Sequence, residues 1–180
     1  MFGRMTAVAF VILASSAPVW AADRENLEIF RDVQKQVLGY PHFTIFDSVH
    51  TEIDNGVLTL TGKVTMPYKR TDIDRRVRKV AGVETVQNHI EVLPVSQFDN
   101  ELRYSIARAI YRHPSLQMYA IGVNPPIHVI VERGRVTLEG VVNSNLDRVL
   151  ARSIASSFPA FEITNELKTE AEAREELEKL

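Results

Sequence analysis

The sequence predicts an α+β fold of two tandem αββαβ modules, each with two helices packed on a three-stranded mixed sheet. One observation is a hairpin that occurs twice: residues 55–64, N-G-V-L-T-L-T-G-K-V, return as residues 133–142, R-G-R-V-T-L-E-G-V-V. The other is that the same order of helical and extended patterns surrounds each copy. A repeated turn and strand in repeated surroundings indicate a duplication.

The first module is expected to contain two helices and three strands. Apolar residues at helical spacing mark both helices, with Val33 and Ile73 in the buried stripes. Asn55 and Gly56 accept the positive φ angles of a tight type I′ hairpin turn between the first two strands. The predicted elements are a helix at 24–38, strands at 44–52 and 57–64, a helix at 68–81 and a strand at 83–93.

The second module repeats this order with one insertion. Aligning the helices and hairpins of the two copies places extra residues at 122–126, G-V-N-P-P. The second helix of this copy is expected to bury Leu146, Leu150 and Ile154. The predicted elements are a helix at 100–112, strands at 127–132 and 135–142, a helix at 146–157 and a strand at 161–167.

The two ends of the chain are predicted to lie outside the modules. Residues 1–21 combine Arg4, a short apolar run and small residues, which is typical of a secretory signal peptide cut after Ala21; an uncleaved membrane anchor is the alternative. The chain has no cysteine, which excludes a lipoprotein anchor and disulfides. We therefore expect modules at 22–95 and 96–167 and a charged helical tail at 168–180.

Charge and motif content argue against several classes of protein. The chain has 21 basic and 23 acidic residues, a net charge of −2, and neither half has the basic excess of a nucleic-acid binder. It contains no G-x-S-x-G, no H-E-x-x-H and no glycine-rich phosphate loop. The 5 histidines are scattered without metal-ligand spacing. We expect no enzyme, and assign no catalytic residue, metal or cofactor.

The first module resembles the BON domain. The resemblance rests on 56–64, G-V-L-T-L-T-G-K-V, a helix, and then 82–88, G-V-E-T-V-Q-N. The second copy departs from it, because Ala160-Phe161 replaces Gly-Val and an insertion precedes the hairpin. The resemblance implies tandem αββαβ modules in the periplasm, with roles in envelope integrity, stress survival and phospholipid association.

Two basic surfaces are candidates for contact with anionic phospholipid. The resemblance favours the first helix of the second module, because lipid association in one outer-membrane lipoprotein of the family involves its second BON copy. Its basic and aromatic side chains suit a bilayer interface: Arg103, Tyr104, Arg108, Tyr111 and Arg112. The other surface lies on the second helix of the first module: Lys69, Arg70, Arg75, Arg76 and Lys79. The alternative for this second surface is a solvated face paired with Asp72 and Asp74.

The stretch 118–126 is the third candidate. Met118, Tyr119, Ile121 and Val123 are expected to be exposed, in a loop that either binds a partner or caps the sheet.

The preferred hypothesis is a non-enzymatic periplasmic module that associates with anionic phospholipid or the envelope and supports its integrity under osmotic stress. The alternative is a protein-interaction or chaperone-like adaptor for envelope proteins, acting through a sheet edge or this loop.

Overall fold

The chain forms the two α+β modules that the sequence predicts. A computed structural model describes residues 19–178, with side chains from residue 26 onward. The predicted signal peptide, residues 1–21, therefore lies almost wholly outside the described residues. Within the described range, no helix combines the length and the apolar character needed to cross a membrane.

The first module has a mixed sheet with its second strand in the centre. Its elements are α1 (Val19–Leu38), β1 (Ser48–Asp54), β2 (Val57–Val64), α2 (Pro67–Val77), β3 (Thr85–Asn88) and β4 (Glu91–Val92). β2 pairs antiparallel with β1 and parallel with β3 and β4. The strand predicted at 83–93 is thus broken in two. The side-chain oxygen of Asn88 accepts the amide of Ile90 at 3.1 Å, and this local bond competes with the strand ladder.

The second module repeats this arrangement. Its elements are α3 (Gln97–Arg112), a 3₁₀ helix (Gln117–Ala120), β5 (Ile127–Glu132), β6 (Arg135–Val142), α4 (Asn145–Ala155), β7 (Glu162–Thr169) and α5 (Glu170–Leu177). β6 lies between β5, which is antiparallel, and β7, which is parallel. The predicted tail at 168–180 begins within β7, and α5 follows it with a capping box between Thr169 and Glu172.

Each module has its own apolar core, and the packing of α4 differs from the prediction. Fully buried side chains include Leu58, Leu60 and Ile73 in the first core and Ile106, Ile110 and Leu138 in the second. On α4, Leu146 is 79% exposed, while Ala151 and Ala155 are completely buried. Leu150 and Ile154 pack only at the margin of the core. The prediction for Leu146 is wrong because small residues, and not leucines, let this helix approach the sheet closely.

Residues with positive φ occupy equivalent positions in the two hairpins. The first turn has the predicted type I′ character, with φ of 47° at Asn55 and 78° at Gly56, and the second turn has similar values, 51° at Arg133 and 74° at Gly134. Later in each return strand, Gly62 and Gly140 also have positive φ, 108° and 120°. A Cβ at Gly62 would lie 2.3 Å from the carbonyl oxygen of Ser48, so only glycine fits this close approach of two strands.

Candidate functional site

The segment between α1 and β1, residues 43–47, is held by one buried carboxylate. Asp47 is completely buried and accepts hydrogen bonds from the amide and hydroxyl of Thr44, at 2.8 and 2.7 Å. It also accepts from the amide and hydroxyl of Thr65, at 2.8 and 2.9 Å, and from Lys69 Nζ at 2.6 Å. Burial by itself would raise the pKa of Asp47, but these donors outweigh it and hold the pKa below its usual value.

This segment, which we call the docking segment, packs against the second module. The carbonyl of Ile45 accepts the amide of Val129 at 2.7 Å. His128 Nδ1 lies 2.6 Å from the carbonyl oxygen of Asp47. Because a carbonyl only accepts, Nδ1 carries the proton and donates it. Burial lowers the pKa of His128, which favours the neutral ring. Ile45 and Phe46 also pack against the second core.

The open faces of the two sheets, opposite the helices, meet in a second set of contacts. Glu139 on β6 accepts a hydrogen bond from Ser48 and lies 3.0 Å from His50 Nε2, both on β1. Lys63 on β2 pairs with Glu132 on β5. Beside these pairs is a cleft of about 460 Å³ lined mainly by charged and hydroxyl side chains. Among the described residues, no cluster of three or more acidic, histidine or cysteine side chains could hold a metal ion.

The insertion at 122–126 forms the third contact between the modules. Asn124 Nδ2 donates to the carbonyl of Leu38 at 3.1 Å, which satisfies one of the open carbonyls at the end of α1. Around this bond lies a shallow depression of about 430 Å³. Ile121 and Val123, which precede Asn124 in the chain, are 83% and 95% exposed. We use the name bridge surface for the depression, lined by Arg31, Lys35, Leu38 and Asn124, together with the exposed apolar residues that precede Asn124 in the chain, Met118, Ile121 and Val123.

Tyr119 anchors the 3₁₀ helix that precedes the insertion. It was expected to be exposed, but it is only 6% exposed, so that expectation is wrong. Its hydroxyl donates to Asp147 at 2.9 Å and accepts the amide of Asn143 at 2.7 Å. The 3₁₀ helix is thereby fixed to the start of α4. The apolar side chains that follow, Ile121 and Val123, are left pointing into solvent.

On α3, the structure separates the five predicted lipid-binding residues into two groups. Arg103 is 4% exposed and donates through Nη2 to the carbonyl of Val131 at 3.0 Å; its Nε has no partner among the described residues. Tyr111 donates to the carbonyl of Ile127 at 2.6 Å, and burial raises its pKa. Both side chains fasten α3 to β5, so the expectation that they face a bilayer is wrong.

The other three α3 residues remain on the surface. Arg108 and Arg112 are exposed, and Tyr104 is 57% exposed, with its ring centroid 4.7 Å from that of Phe46 in an edge-to-face arrangement. They are spaced four residues apart and form one stripe along the helix. We call Tyr104, Arg108 and Arg112 the α3 stripe. The helix ends at Arg112 and the chain turns directly into the 3₁₀ helix that precedes Ile121.

The basic face predicted on the first module is divided in the same way. Lys69 is buried against Asp47, so its assignment to the surface is wrong. Arg76 donates to the carbonyls of Gln36 and Gly39, at 2.9 and 3.2 Å, and so ties α2 to the end of α1. The ion-pair alternative holds for two residues, with Arg75 3.2 Å from Asp72 and Arg78 2.6 Å from Asp74. Arg70 and Lys79 remain exposed.

These contacts define a class of protein: two α+β modules of one type, joined to each other through residues of both modules. The family model of the BON domain matches residues 28–94 and 99–171. The chain belongs to the BON domain family. BON domains are known for phospholipid binding, occur in osmotic and envelope-stress proteins, and are generally non-enzymatic.

Comparison with individual proteins adds little to this. No curated protein matches the chain. One similar solved structure is CdsD of Chlamydia trachomatis, described as a structural protein of the type III secretion system, with 13% identity, a TM-score of 0.28, and coverage of 84% of this chain and 97% of that one. A structure of the CdsD C-terminal domain has 12% identity, a TM-score of 0.28, and coverage of 78% and 96%. Likeness at this level carries no inference about function.

Proposed function

We propose that this protein is a non-enzymatic periplasmic module that associates with the anionic phospholipid surface of the cell envelope and supports envelope integrity under osmotic stress. The observation that carries the proposal is the exposure of Ile121 and Val123, 83% and 95%, on a loop inserted between elements of the BON fold. Two apolar side chains so fully exposed, beside basic residues, suit insertion into the headgroup region of a bilayer.

The bridge surface combines the two forces that hold peripheral proteins on membranes. Burial of the Val123 side chain would contribute about 1.5 kcal/mol. Arg31 and Lys35 line the same depression as Asn124, so two basic side chains lie near the inserted loop. Each basic residue near an anionic leaflet contributes about 1 kcal/mol. Neither contribution is large, so we expect weak, reversible binding that depends on salt.

The α3 stripe supplies further cations next to this loop in the chain. Arg108 and Arg112 are exposed, and they precede the 3₁₀ helix that leads to Ile121. In this proposal the apolar loop enters the interface while the arginines contact headgroup phosphates. The part of the predicted lipid site that this proposal retains is Tyr104, Arg108 and Arg112.

Flotation with vesicles tests the proposal. Vesicles of phosphatidylcholine with phosphatidylglycerol at low salt should carry the wild-type protein upward, and vesicles of phosphatidylcholine alone should not. Val123→Asp should weaken binding about tenfold, because it removes the burial of one apolar side chain and adds a like charge. The matched control is Val95→Asp, since Val95 is 98% exposed and lies before α3, at the end of that helix away from the insertion.

Val95→Asp makes the same change in net charge and should bind as the wild type does. Failure of the wild-type protein to float, or an equal loss in both variants, would overturn the proposal. Periplasmic location is part of the same proposal and is checked separately. The protein recovered from a periplasmic fraction should begin at Ala22, and an N-terminus at Met1 would contradict that.

The protein-interaction alternative is favoured by a different feature. Phe98 and Phe161 are 45% and 81% exposed and stack with their ring centroids 6.3 Å apart, beside the turn at Gly134. Exposed aromatic pairs are common anchors of protein interfaces. A photo-crosslinking residue at Phe161 should then capture one envelope protein in cells. Capture of lipid and no protein would count against this alternative.

A further inference from the structure

The junction between the modules contains one ion pair that changes charge near neutral pH. His50 on β1 and Glu139 on β6 meet across the open faces of the two sheets, with Nε2 3.0 Å from the carboxylate. A second ion pair of the junction joins Lys63 on β2 to Glu132 on β5. We infer that His50 and Glu139 form a pH-sensitive latch that tightens the contact between the modules when His50 is protonated.

The geometry suits a latch that responds to the pH of the surrounding solvent. The His50 side chain is 62% exposed, so protons reach it freely, whereas that of Glu139 is only 16% exposed. Ser48 Oγ donates to the same carboxylate and lies 3.2 Å from His50 Nε2, which fixes where the carboxylate sits. A neutral imidazole offers this carboxylate a hydrogen bond alone. An imidazolium adds the attraction of opposite charges, which is stronger here because the carboxylate is largely shielded from water.

Other charged groups also lie near this pair. Glu166 and Lys168 on β7 act on His50 in opposite directions, and His128 on β5 is a further titratable neighbour. The cleft that contains His50 and Glu139 is also lined by Lys63, Glu132, Arg133, Arg135 and Glu162. The hydrogen bond to Glu139 raises the pKa of His50, although burial opposes it. Burial would raise the pKa of Glu139, but hydrogen bonds from His50 and Ser48 lower it.

The sign of the effect follows from these directions. A group whose pKa is raised in the closed state stabilises that state fully at low pH and loses its effect as pH rises through the raised pKa. The latch is therefore closed below the usual histidine value of 6.5 and weakens above it. Hydrogen bonds hold the pKa of Glu139 below its usual value of 4.5, so this carboxylate loses its charge only below that value. The contact should be tightest between these limits.

A tighter junction would also affect the bridge surface. That surface is shared, because Leu38 belongs to the first module and Asn124 to the second. Separation of the modules would divide it, so the latch would couple pH to membrane association; this consequence rests on the proposed function. The latch itself does not, and its test needs no lipid.

Hydrogen exchange of one amide measures the junction directly. The amide of Val129 donates to the carbonyl of Ile45 in the other module at 2.7 Å, so it exchanges when the modules separate. In the full chain, followed by NMR and corrected for the intrinsic exchange rate, its protection should be about two- to fivefold higher at about pH 5.5 than at about pH 7.5. Amides bonded within the β5–β6 hairpin serve as the internal reference and should show no such difference.

Two variants decide which group is responsible. His50→Gln should abolish the difference between the two pH values. The control is Glu162→Gln, which removes a carboxylate of the same open face; Glu162 lies 3.3 Å from Arg135 within the second module. This control should keep the difference. Equal protection of Val129 at both pH values in the wild type, or a difference that persists in His50→Gln, would overturn the latch. Failure of vesicle binding would overturn only the proposed function.

Discussion

Lys69 on α2 donates to Asp47 at 2.6 Å inside the first module, where the two side chains are 5% and 0% exposed. The pair joins a helix of the first module to the docking segment, whose main chain contacts the second module through Ile45 and Asp47. A lysine in a basic stretch of sequence thus supports the contact between modules. It is not part of the surface that was expected to meet a membrane.

Removal of the lysine should destabilise the protein strongly. In Lys69→Met the Asp47 carboxylate stays buried without its cation, and breaking a buried pair in this way costs about 3–5 kcal/mol. Urea unfolding followed by circular dichroism measures the free energy of unfolding. The control is Arg70→Met, which removes an exposed cation from the next position of the same helix and should change stability by less than about 0.5 kcal/mol. Similar small losses in both variants would show that the Asp47–Lys69 pair is unimportant.

Acid should weaken the first module through Asp47. Its pKa is lowered in the folded state, so its contribution is present above the unfolded value of 3.8 and is lost as pH falls through the folded pKa. Unfolding measured from about pH 7 to about pH 2.5 should show stability falling below about pH 4.

The double variant Asp47→Asn/Lys69→Met separates this contribution from those of other carboxylates. It replaces the pair by neutral side chains of similar size, and its stability should fall less steeply in acid than that of the wild type. Identical slopes would mean that another carboxyl group is responsible for the acid sensitivity.

Alanine should be poorly tolerated at Gly140. This residue has a φ of 120°, and an added Cβ would lie 1.8 Å from the carbonyl oxygen of Pro126. Gly122 is a close control, since its φ is 128° but an added Cβ would meet nothing within 4 Å. Gly140→Ala should therefore cost about 1–3 kcal/mol more than Gly122→Ala in thermal or urea unfolding, because the backbone has to move. Equal losses would mean that the strained φ, and not the clash, decides both.

Much of the candidate site could have been anticipated more closely from helical spacing. Lys69 lies four residues before Ile73 and eight before Val77, which places it on the buried stripe of α2. Arg103 lies three residues before Ile106 on the buried face of α3. Because both residues are charged, the prediction placed them on the surface. Their spacing from the apolar residues of the same helix indicates the buried face instead.

No pattern in the sequence predicts the contacts between the two modules in a comparable way. The bonds from Ser48 to Glu139 and from Asn124 to Leu38 join residues that are 91 and 86 positions apart in the chain. No local period relates such residues, and neither partner is unusual in its own stretch of sequence. The exposure of Ile121 and Val123 was predicted, but the contact of their loop with α1 was not.

The sequence by itself determined the two modules, because each depends on local patterns. A glycine turn, an alternating strand and an amphipathic helix are properties of short stretches, and they occur twice in the same order. Only the tertiary structure decided which groups the internal charged side chains pair with and which residues join the two modules. The physical reason is that burial and pairing depend on what the rest of the chain brings nearby, as Asp47 does for Lys69 and Glu139 does for His50.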